Sequence, residues 1–152
     1  GTGDYVTLFE PTASAFAAQG KGHIVTNMGL ESGEVPYTTF MMRKDTIENE
    51  PGFAAAFVRA IYRAQKWVWA AGDEEVAYAM QSYFPDTDIA TLSAVAKSYR
   101  ATDSWTKVPT MTEEAFTRLQ DILDGAGELA ARIELSELVD NSFGEAAISE
   151  IG

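Results

Sequence analysis

The spacing of apolar residues changes about a third of the way along the chain. Three short runs, at residues 5–9, 23–27 and 36–42, are rich in apolar and β-branched side chains. The first of them, Tyr5-Val6-Thr7-Leu8-Phe9, has no clean alternation, which is typical of a strand buried on both faces of a parallel sheet. A short helix from Pro11 to Gly20 joins the first two runs. The pattern predicts a βαβ unit, a third strand, and hence an α/β fold.

Beyond residue 42 the spacing becomes helical. From Pro51 to about Ala71 the apolar residues keep to one face of a long α-helix. Further helices are predicted where a capping residue is followed by acidic residues or an apolar face and then by Gly or Pro. Asp73 and Thr112 are the predicted caps of two of them. The remaining predicted extents are 73–85, 88–100, 112–127 and 142–148, with a short turn at 136–139.

One βαβ unit cannot form a sheet that is covered on both faces. The remaining strands must therefore come from outside these 152 residues. We expect the chain to contain pieces of two domains rather than one complete domain.

The charge balance excludes one class of partner. With 11 basic and 23 acidic side chains, the formal net charge is −12, which opposes the phosphate backbone and predicts no binding to nucleic acid. The absence of cysteine excludes disulfides and thiolate metal sites, and a single histidine leaves few acid–base constellations. No stretch reaches the roughly 18–20 apolar residues of a membrane span. The N-terminus lacks a signal region, so the chain is not exported or its true beginning is missing.

Five residues are candidates for ligand binding. Glu10 follows a predicted buried strand, where ligands collect in open α/β sheets; its carboxylate would accept a hydrogen bond from a ligand N–H or cation, or would cap the helix. Thr12, in the first turn, would serve a ligand or the helix end equally well. Pro36 and Tyr37 lie where a hinge is expected and would wall a cleft or join a core. Trp105, between helices, would line a pocket or plug the core edge.

Two further features have ordinary structural explanations. The basic stripe, which we define as Arg59, Arg63 and Lys66, reads as a solvated helix face, with an anion or partner surface as the alternative. His23 has no Ser or Asp partner in a recognisable catalytic context, so it reads as structural. We find no catalytic set and predict that the protein is not an enzyme. An enzyme with Glu10 as general base is the remaining alternative of that class.

Several segments resemble the substrate-binding proteins of nitrate, sulfonate and taurine-type ABC importers, a family that also contains binders of thiamine-pyrimidine precursors. The segments that carry the likeness follow one another along nearly the whole chain. They are Asp4-Tyr5-Val6-Thr7-Leu8-Phe9-Glu10-Pro11, Gly33-Glu34-Val35-Pro36-Tyr37-Thr38, Arg59-Ala60-Ile61-Tyr62-Arg63-Ala64-Gln65-Lys66-Trp67-Val68, Tyr83-Phe84-Pro85-Asp86-Thr87, Arg118-Leu119-Gln120-Asp121-Ile122-Leu123 and Leu138-Val139-Asp140-Asn141-Ser142-Phe143.

The resemblance implies the C-terminal half of a two-lobed, type 2 periplasmic-binding-protein-like α/β protein. Residues 1–34 would end the second lobe with the βαβ unit. Residues 35–152 would form the hinge strand and the helical return to the first lobe. The N-terminal half, with its signal segment and half of the cleft, would be absent. By the same likeness, Glu10 and Thr12 match the cleft edge of the second lobe, and Pro36 and Tyr37 match the hinge side.

The resemblance also implies a function. The protein would capture a small metabolite, which is a sulfonate, a nitrate-like anion or a thiamine-pyrimidine-like compound, and present it by hinge closure to a membrane permease. It would use no cofactor and no metal. Enzymatic relatives that build the thiamine pyrimidine carry a cysteine-rich motif, which this chain lacks.

The implied partners follow from that role. They are the ligand, the ABC permease, and the missing N-terminal half or a second copy of the chain. The protein would be periplasmic or extracytoplasmic at the cell surface, touching the membrane through the permease or a lipid anchor on the missing half. The alternative is a non-enzymatic interaction domain that needs a partner chain to complete its sheet.

Overall fold

The computed structural model describes residues 3–152, which form nine α-helices and one 3₁₀ turn and contain no strand. The longest helix, α4, matches the long apolar face read from the sequence. The α-helices are α1 Thr12–Ala18, α2 Met28–Ser32, α3 Lys44–Asn49, α4 Pro51–Ala70, α5 Asp73–Met80, α6 Ile89–Ala101, α7 Glu113–Gly125, α8 Leu135–Leu138 and α9 Ser142–Ile151, and the 3₁₀ turn is Gln81–Tyr83.

The predicted α/β fold, type 2 periplasmic-binding-protein-like with a βαβ unit, is therefore wrong for this chain. Residues 5–9, 23–27 and 36–42 have no regular secondary structure and form no ladder within the described residues. A strand needs a neighbour that takes its main-chain N–H and C=O groups, and apolar composition alone does not supply one. The segments leave large apolar side chains in solvent, with Tyr5 83% and Met41 92% exposed.

Two short helices were missed on either side of the third predicted strand. The side-chain oxygen of Asn27 accepts a hydrogen bond from the Gly29 N–H at 2.8 Å, which starts α2. The extended backbone of Arg43 precedes α3, whose first turn contains Asp45. Neither helix buries a residue, so neither produces the apolar spacing from which helices are predicted.

The predicted helix starts had mixed outcomes. Thr112 caps α7, because its hydroxyl accepts the Ala115 N–H at 3.1 Å, as predicted. Asp88 caps α6 through the Thr91 N–H at 2.9 Å. Asp73 is not a cap. It is the first residue of α5, and its carboxylate pairs with Arg100 at 2.7 Å.

Helix ends at glycine were predicted correctly. Gly20 and Gly127 have φ of 66° and 73°, in the left-handed region that glycine enters without a steric cost. After α7 the Gly127 N–H donates to the carbonyl of Asp124 at 2.9 Å, and the Glu128 N–H donates to that of Leu123 at 2.9 Å. This is a Schellman motif, which satisfies the last carbonyls of the helix.

The helices form two compact units. The first contains the described residues up to Glu31 together with Val68–Trp105. Its core lies between α5 and α6, and α1 packs against α6. The side chains buried there are Val76, Ala77, Leu92, Val95 and Ala96. The predicted boundary between residues 34 and 35 stays a prediction.

The second unit contains Ser32–Trp67 and Thr106–Gly152. Its buried apolar residues lie on α4, α7 and α9 and are Ala54, Tyr62, Ala115, Phe116 and Ala147. Gly144 on α9 is also buried, and a methyl group there would collide with the Pro109 carbonyl.

Two side-chain amides hold loops to the second unit. The Gln120 amide accepts the Ile133 N–H at 2.9 Å and donates to the Ile133 carbonyl at 3.1 Å. The Asn141 amide does the same for Met111, at 3.0 and 2.8 Å. Each amide thus replaces the hydrogen bonds that a neighbouring strand would have made.

Candidate functional site

Glu10 lies immediately before α1 and is used by that helix. Its carboxylate accepts the Ser14 N–H at 2.9 Å through Oε2 and the Ser14 hydroxyl at 2.9 Å through Oε1. The helix-cap reading of Glu10 is therefore observed. The residue is half-buried, and no Lys or Arg of residues 3–152 forms an ion pair with it. A carboxylate has about four lone-pair positions, so two remain for another donor.

Trp105 packs on Tyr99 of α6. The ring centroids are 5.1 Å apart and the planes make an angle of 83°, an edge-to-face contact. The turn that ends α6 explains this placement. The Ser104 N–H donates to the Tyr99 carbonyl at 2.8 Å, and the Asp103 N–H donates to the Arg100 carbonyl at 3.3 Å. This is again a Schellman motif, with Asp103 at a φ of 51° in the left-handed position, and it turns the chain back so that Trp105 meets Tyr99.

Glu10 acts electrostatically on Tyr99. The pKa of the Tyr99 phenol is raised, first by its burial and then by the negative charge of Glu10. Since α1 packs against α6, the carboxylate before α1 and the phenol of α6 belong to one neighbourhood. We call Glu10, Tyr99 and Trp105 the Glu10 cluster. All three side chains are half-buried, so each is held by the fold and keeps part of its surface accessible.

Thr12 lies on a shallow groove of about 460 Å³ between α1 and the start of α6. Its side chain is exposed. The groove is lined by Pro11, Thr12, Ala15, Phe16, Ala18, Gln19, Lys21, Asp86, Thr87, Asp88 and Thr91. Asp88 is already engaged, since hydrogen bonds from Thr91 hold its pKa below the ordinary value. The Lys21 ammonium lies 5.4 Å from the centroid of the Phe16 ring.

Pro36 and Tyr37 belong to the second unit, between α2 and α3. Pro36 is half-buried, and Tyr37 is 80% exposed. Of the five predicted residues, the first unit thus contains Glu10 and Trp105 in one cluster and Thr12 on the adjoining groove. The roles of all five in ligand binding stay predictions.

The basic stripe is largely committed to contacts within the second unit. Arg59 lies 3.6 Å from Glu150 of α9. The Lys66 ammonium donates to the carbonyls of Ile151 and Gly152, at the C-terminal end of α9, where a cation is favoured by the helix dipole. Arg63 is exposed. The stripe thus holds α9, which leaves little of it for an anionic ligand.

Sequence reasoning missed Tyr99 and Ser14. Helical spacing predicts Tyr99 only as part of the apolar face of α6. The signal that could have found it is the turn sequence Thr102-Asp103-Ser104 directly after the helix, because a Schellman end brings the residues that follow it onto the last turn. Ser14 could have been found as the hydroxyl four residues after Glu10.

Neither a group of metal-ligating side chains nor a membrane-spanning helix occurs among the described residues. Across residues 3–152, no three His, Cys, Asp or Glu side chains are grouped so that they could hold a metal ion. None of the helices in this range combines the length and apolar character that a membrane crossing requires.

The chain is similar to a bacterial binding protein over nearly its whole length. That relative is named "Putative binding protein YtlA" and comes from Bacillus subtilis (strain 168); the identity is 40% over 150 residues. The match covers 99% of this chain but 45% of the relative, so the chain spans about half the length of the protein it resembles. No protein-family model matches the chain, and no solved structure matches it significantly. The likeness supports a binding function in general.

Proposed function

We propose that the chain is part of the solute-binding component of an ABC importer, which captures a small metabolite and delivers it to a membrane permease. The single observation that carries the proposal is the Glu10 cluster, in which the charge of Glu10 acts on the half-buried Tyr99 phenol and the half-buried Trp105 ring packs on Tyr99. The name of the Bacillus subtilis relative supports binding in general. The importer role is supported by the family resemblance of the sequence.

The chemistry of the cluster favours one of the three ligand classes. A sulfonate or a nitrate-like anion would meet the Glu10 carboxylate in a chain whose net charge is −12. A thiamine-pyrimidine-like compound offers N–H donors for the carboxylate and a flat ring that packs against Tyr99 and Trp105. We therefore favour a nitrogen heterocycle with an exocyclic amine.

Binding would require no covalent chemistry. Glu10, fixed by two hydrogen bonds from Ser14, would accept the ligand N–H without having to reorganise. The Schellman turn after α6 would hold Trp105 in place as one wall. In this proposal the protein is not an enzyme and uses no cofactor. It works outside the cytoplasm, at the cell surface, and reaches the membrane through the permease or a lipid anchor.

The proposal is tested by ligand-induced stabilisation. A ligand that binds only the native state raises its stability by mass action, by about 2.7 kcal/mol at 100 times the dissociation constant. The unfolding temperature would be measured with 4-amino-2-methylpyrimidine, taurine and nitrate in turn. We expect the unfolding temperature to rise with the aminopyrimidine and not with taurine or nitrate. A rise with taurine or nitrate but not with the aminopyrimidine contradicts the proposed ligand class.

A second candidate is favoured by the exposed apolar segments. Tyr5, Val25, Tyr37, Phe40 and Met41 are each at least 71% exposed, on segments without regular structure. Contiguous exposed apolar surface marks interaction sites, and Tyr37, Phe40 and Met41 lie within five consecutive residues of one segment. In this candidate the chain is a non-enzymatic interaction domain whose exposed segments dock on another polypeptide. We propose that the docking partner is the remainder of a longer protein, because the match covers 45% of the relative.

Mixing tests the second candidate. This chain would be combined with the part of the Bacillus subtilis relative that lies outside the matched region, and the product analysed by sedimentation. We expect a one-to-one complex. A chain that stays a monomer in the mixture contradicts docking on that segment, and a stable dimer of this chain alone identifies a second copy as the occupant instead.

A further inference from the structure

Arg118 of α7 holds the main chain where the second unit begins. Its Nη1 donates to the Glu34 carbonyl at 2.9 Å, across 84 positions of sequence. The same guanidinium lies over Gly33, whose φ is 74°. A Cβ atom built on Gly33 would be 3.2 Å from both Cζ and Nη1 of Arg118 and 3.4 Å from Nε. The plane of the guanidinium therefore covers the face of Gly33 on which a side chain would stand.

The guanidinium is itself held in place from the other side. Its Nη2 donates to Glu114 Oε1 at 2.8 Å, one turn earlier on α7. The Arg118 side chain is about one-third exposed, whereas that of Glu114 is 80% exposed. An exposed ion pair alone would contribute little. The contact with Gly33 and the bond to the Glu34 carbonyl are what distinguish Arg118 from an ordinary surface pair, because a planar fork can serve both at once and an ammonium cannot.

The held peptide leads directly to two candidate binding residues. Pro36 follows Glu34 by two positions, and its ring fixes its own φ near −65°. Fewer main-chain bonds can therefore rotate freely between Glu34 and Tyr37. Tyr37 comes next and is mostly exposed. An anchor at Glu34 therefore limits where the main chain of Tyr37 can lie.

We propose that Arg118 is a positioning residue that clamps the Gly33–Glu34 main chain and thereby fixes Pro36 and Tyr37. Insofar as those two residues contact the ligand, this inference rests on the proposed function. Arg118 acts through the main chain and does not itself contact the ligand.

The test is the local order of residues 34–37 in the ligand-free chain, measured by ¹⁵N relaxation. We expect order parameters of about 0.85 for the amides of Glu34, Val35 and Tyr37, falling below about 0.6 in Arg118→Gln. Arg118→Lys keeps the positive charge and loses the planar guanidinium. The same amides should therefore be as mobile in Arg118→Lys as in Arg118→Gln. The matched control is Arg132→Gln. Arg132 forms ion pairs with Asp121 and Asp124 of α7, and neither ion pair involves residues 33–37.

Unchanged order parameters in Arg118→Gln would overturn the inference, and so would full rescue by lysine. A loss of order spread equally over α4, α7 and α9 would overturn it as well, because it would indicate general destabilisation. Since no ligand is present, the result is independent of the proposed function. A localised loss of order in a chain that binds no aminopyrimidine supports the clamp while contradicting the proposed ligand.

Discussion

The phenol of Tyr99 reports on the charge of Glu10. Its pKa is raised above the ordinary value of about 10, so the neutral phenol is favoured in the folded chain. This contribution to stability is fully present below about pH 10 and is lost as the pH rises through the folded pKa. We predict that Glu10→Gln lowers the Tyr99 pKa only in part, because burial is the larger cause and remains.

The measurement is an NMR titration of ¹³C-labelled tyrosine, with Tyr99→Phe to assign the signal among the six tyrosines. Glu75→Gln on the exposed first turn of α5 is the matched control and should leave the titration unchanged. A Tyr99 pKa that is the same in wild type and Glu10→Gln would show that the two residues are not neighbours.

The two bridging amides predict a stability effect at single residues. Gln120→Ala leaves the N–H and C=O of Ile133 without the partners that the amide provides. Ile133 is 40% exposed, so water can partly replace the lost partner. A hydrogen bond contributes about 0.5–1.5 kcal/mol net, and we therefore expect a loss of about 1 kcal/mol in the free energy of unfolding. Denaturant titration measures it. Gln81→Ala, at an exposed position of the first unit, is the control, and an equal loss in both variants would contradict the bridging role.

At the residue scale, the sequence predicted two of the three residues of the Glu10 cluster. Glu10 is a candidate because it follows an apolar run, and Trp105 is a candidate because it lies between helices. Tyr99 was not predicted, because helical spacing places a tyrosine on one face of a helix but does not identify the side chain that contacts its ring. The contact depends on the left-handed turn at Asp103, and only a fraction of Asp residues adopt that conformation.

At the scale of elements, local signals predicted the longer helices and their glycine ends, and they did not predict the short helices α2 and α3. Thr112 and Gly127 bound α7 through groups only a few residues away, so neighbouring sequence contains the needed information. Asp73 failed as a cap because Arg100, 27 positions away, takes its carboxylate. The predicted strands are wrong for a similar reason, because a strand also depends on a partner that is distant in sequence. A ladder depends on a distant segment, and residues 5–9 have none among the described residues.

The glycine helix ends carry a prediction of their own. Gly127→Ala places a Cβ in the left-handed region, where it costs roughly 1–2 kcal/mol. We expect the free energy of unfolding to fall by about 1 kcal/mol. Gly72→Ala is the control, because Gly72 has a φ of −69° with open space around it. A Gly127→Ala variant as stable as Gly72→Ala would show that the Schellman end of α7 contributes nothing.

At the scale of the whole molecule, the described residues consist of helices and of segments without regular structure that expose apolar side chains. The α/β fold predicted from three apolar runs is wrong, yet the prediction rested on a real feature. The runs at 5–9, 23–27 and 36–42 are apolar enough to be buried, and many of their side chains are exposed. The second candidate function places the partner of these segments in a longer protein, and the matched relative is about twice as long as this chain.

The central claim is that the Glu10 cluster binds a nitrogen heterocycle. Calorimetric titration with 4-amino-2-methylpyrimidine tests it most directly, using the chain combined with the unmatched part of the Bacillus subtilis relative. We predict saturable binding that weakens by about tenfold or more in Glu10→Gln, the equivalent of about 1.4 kcal/mol for a lost hydrogen bond to a charged group. Glu75→Gln should bind like wild type. Equal affinity in wild type and Glu10→Gln, or preferential binding of taurine, would contradict the account.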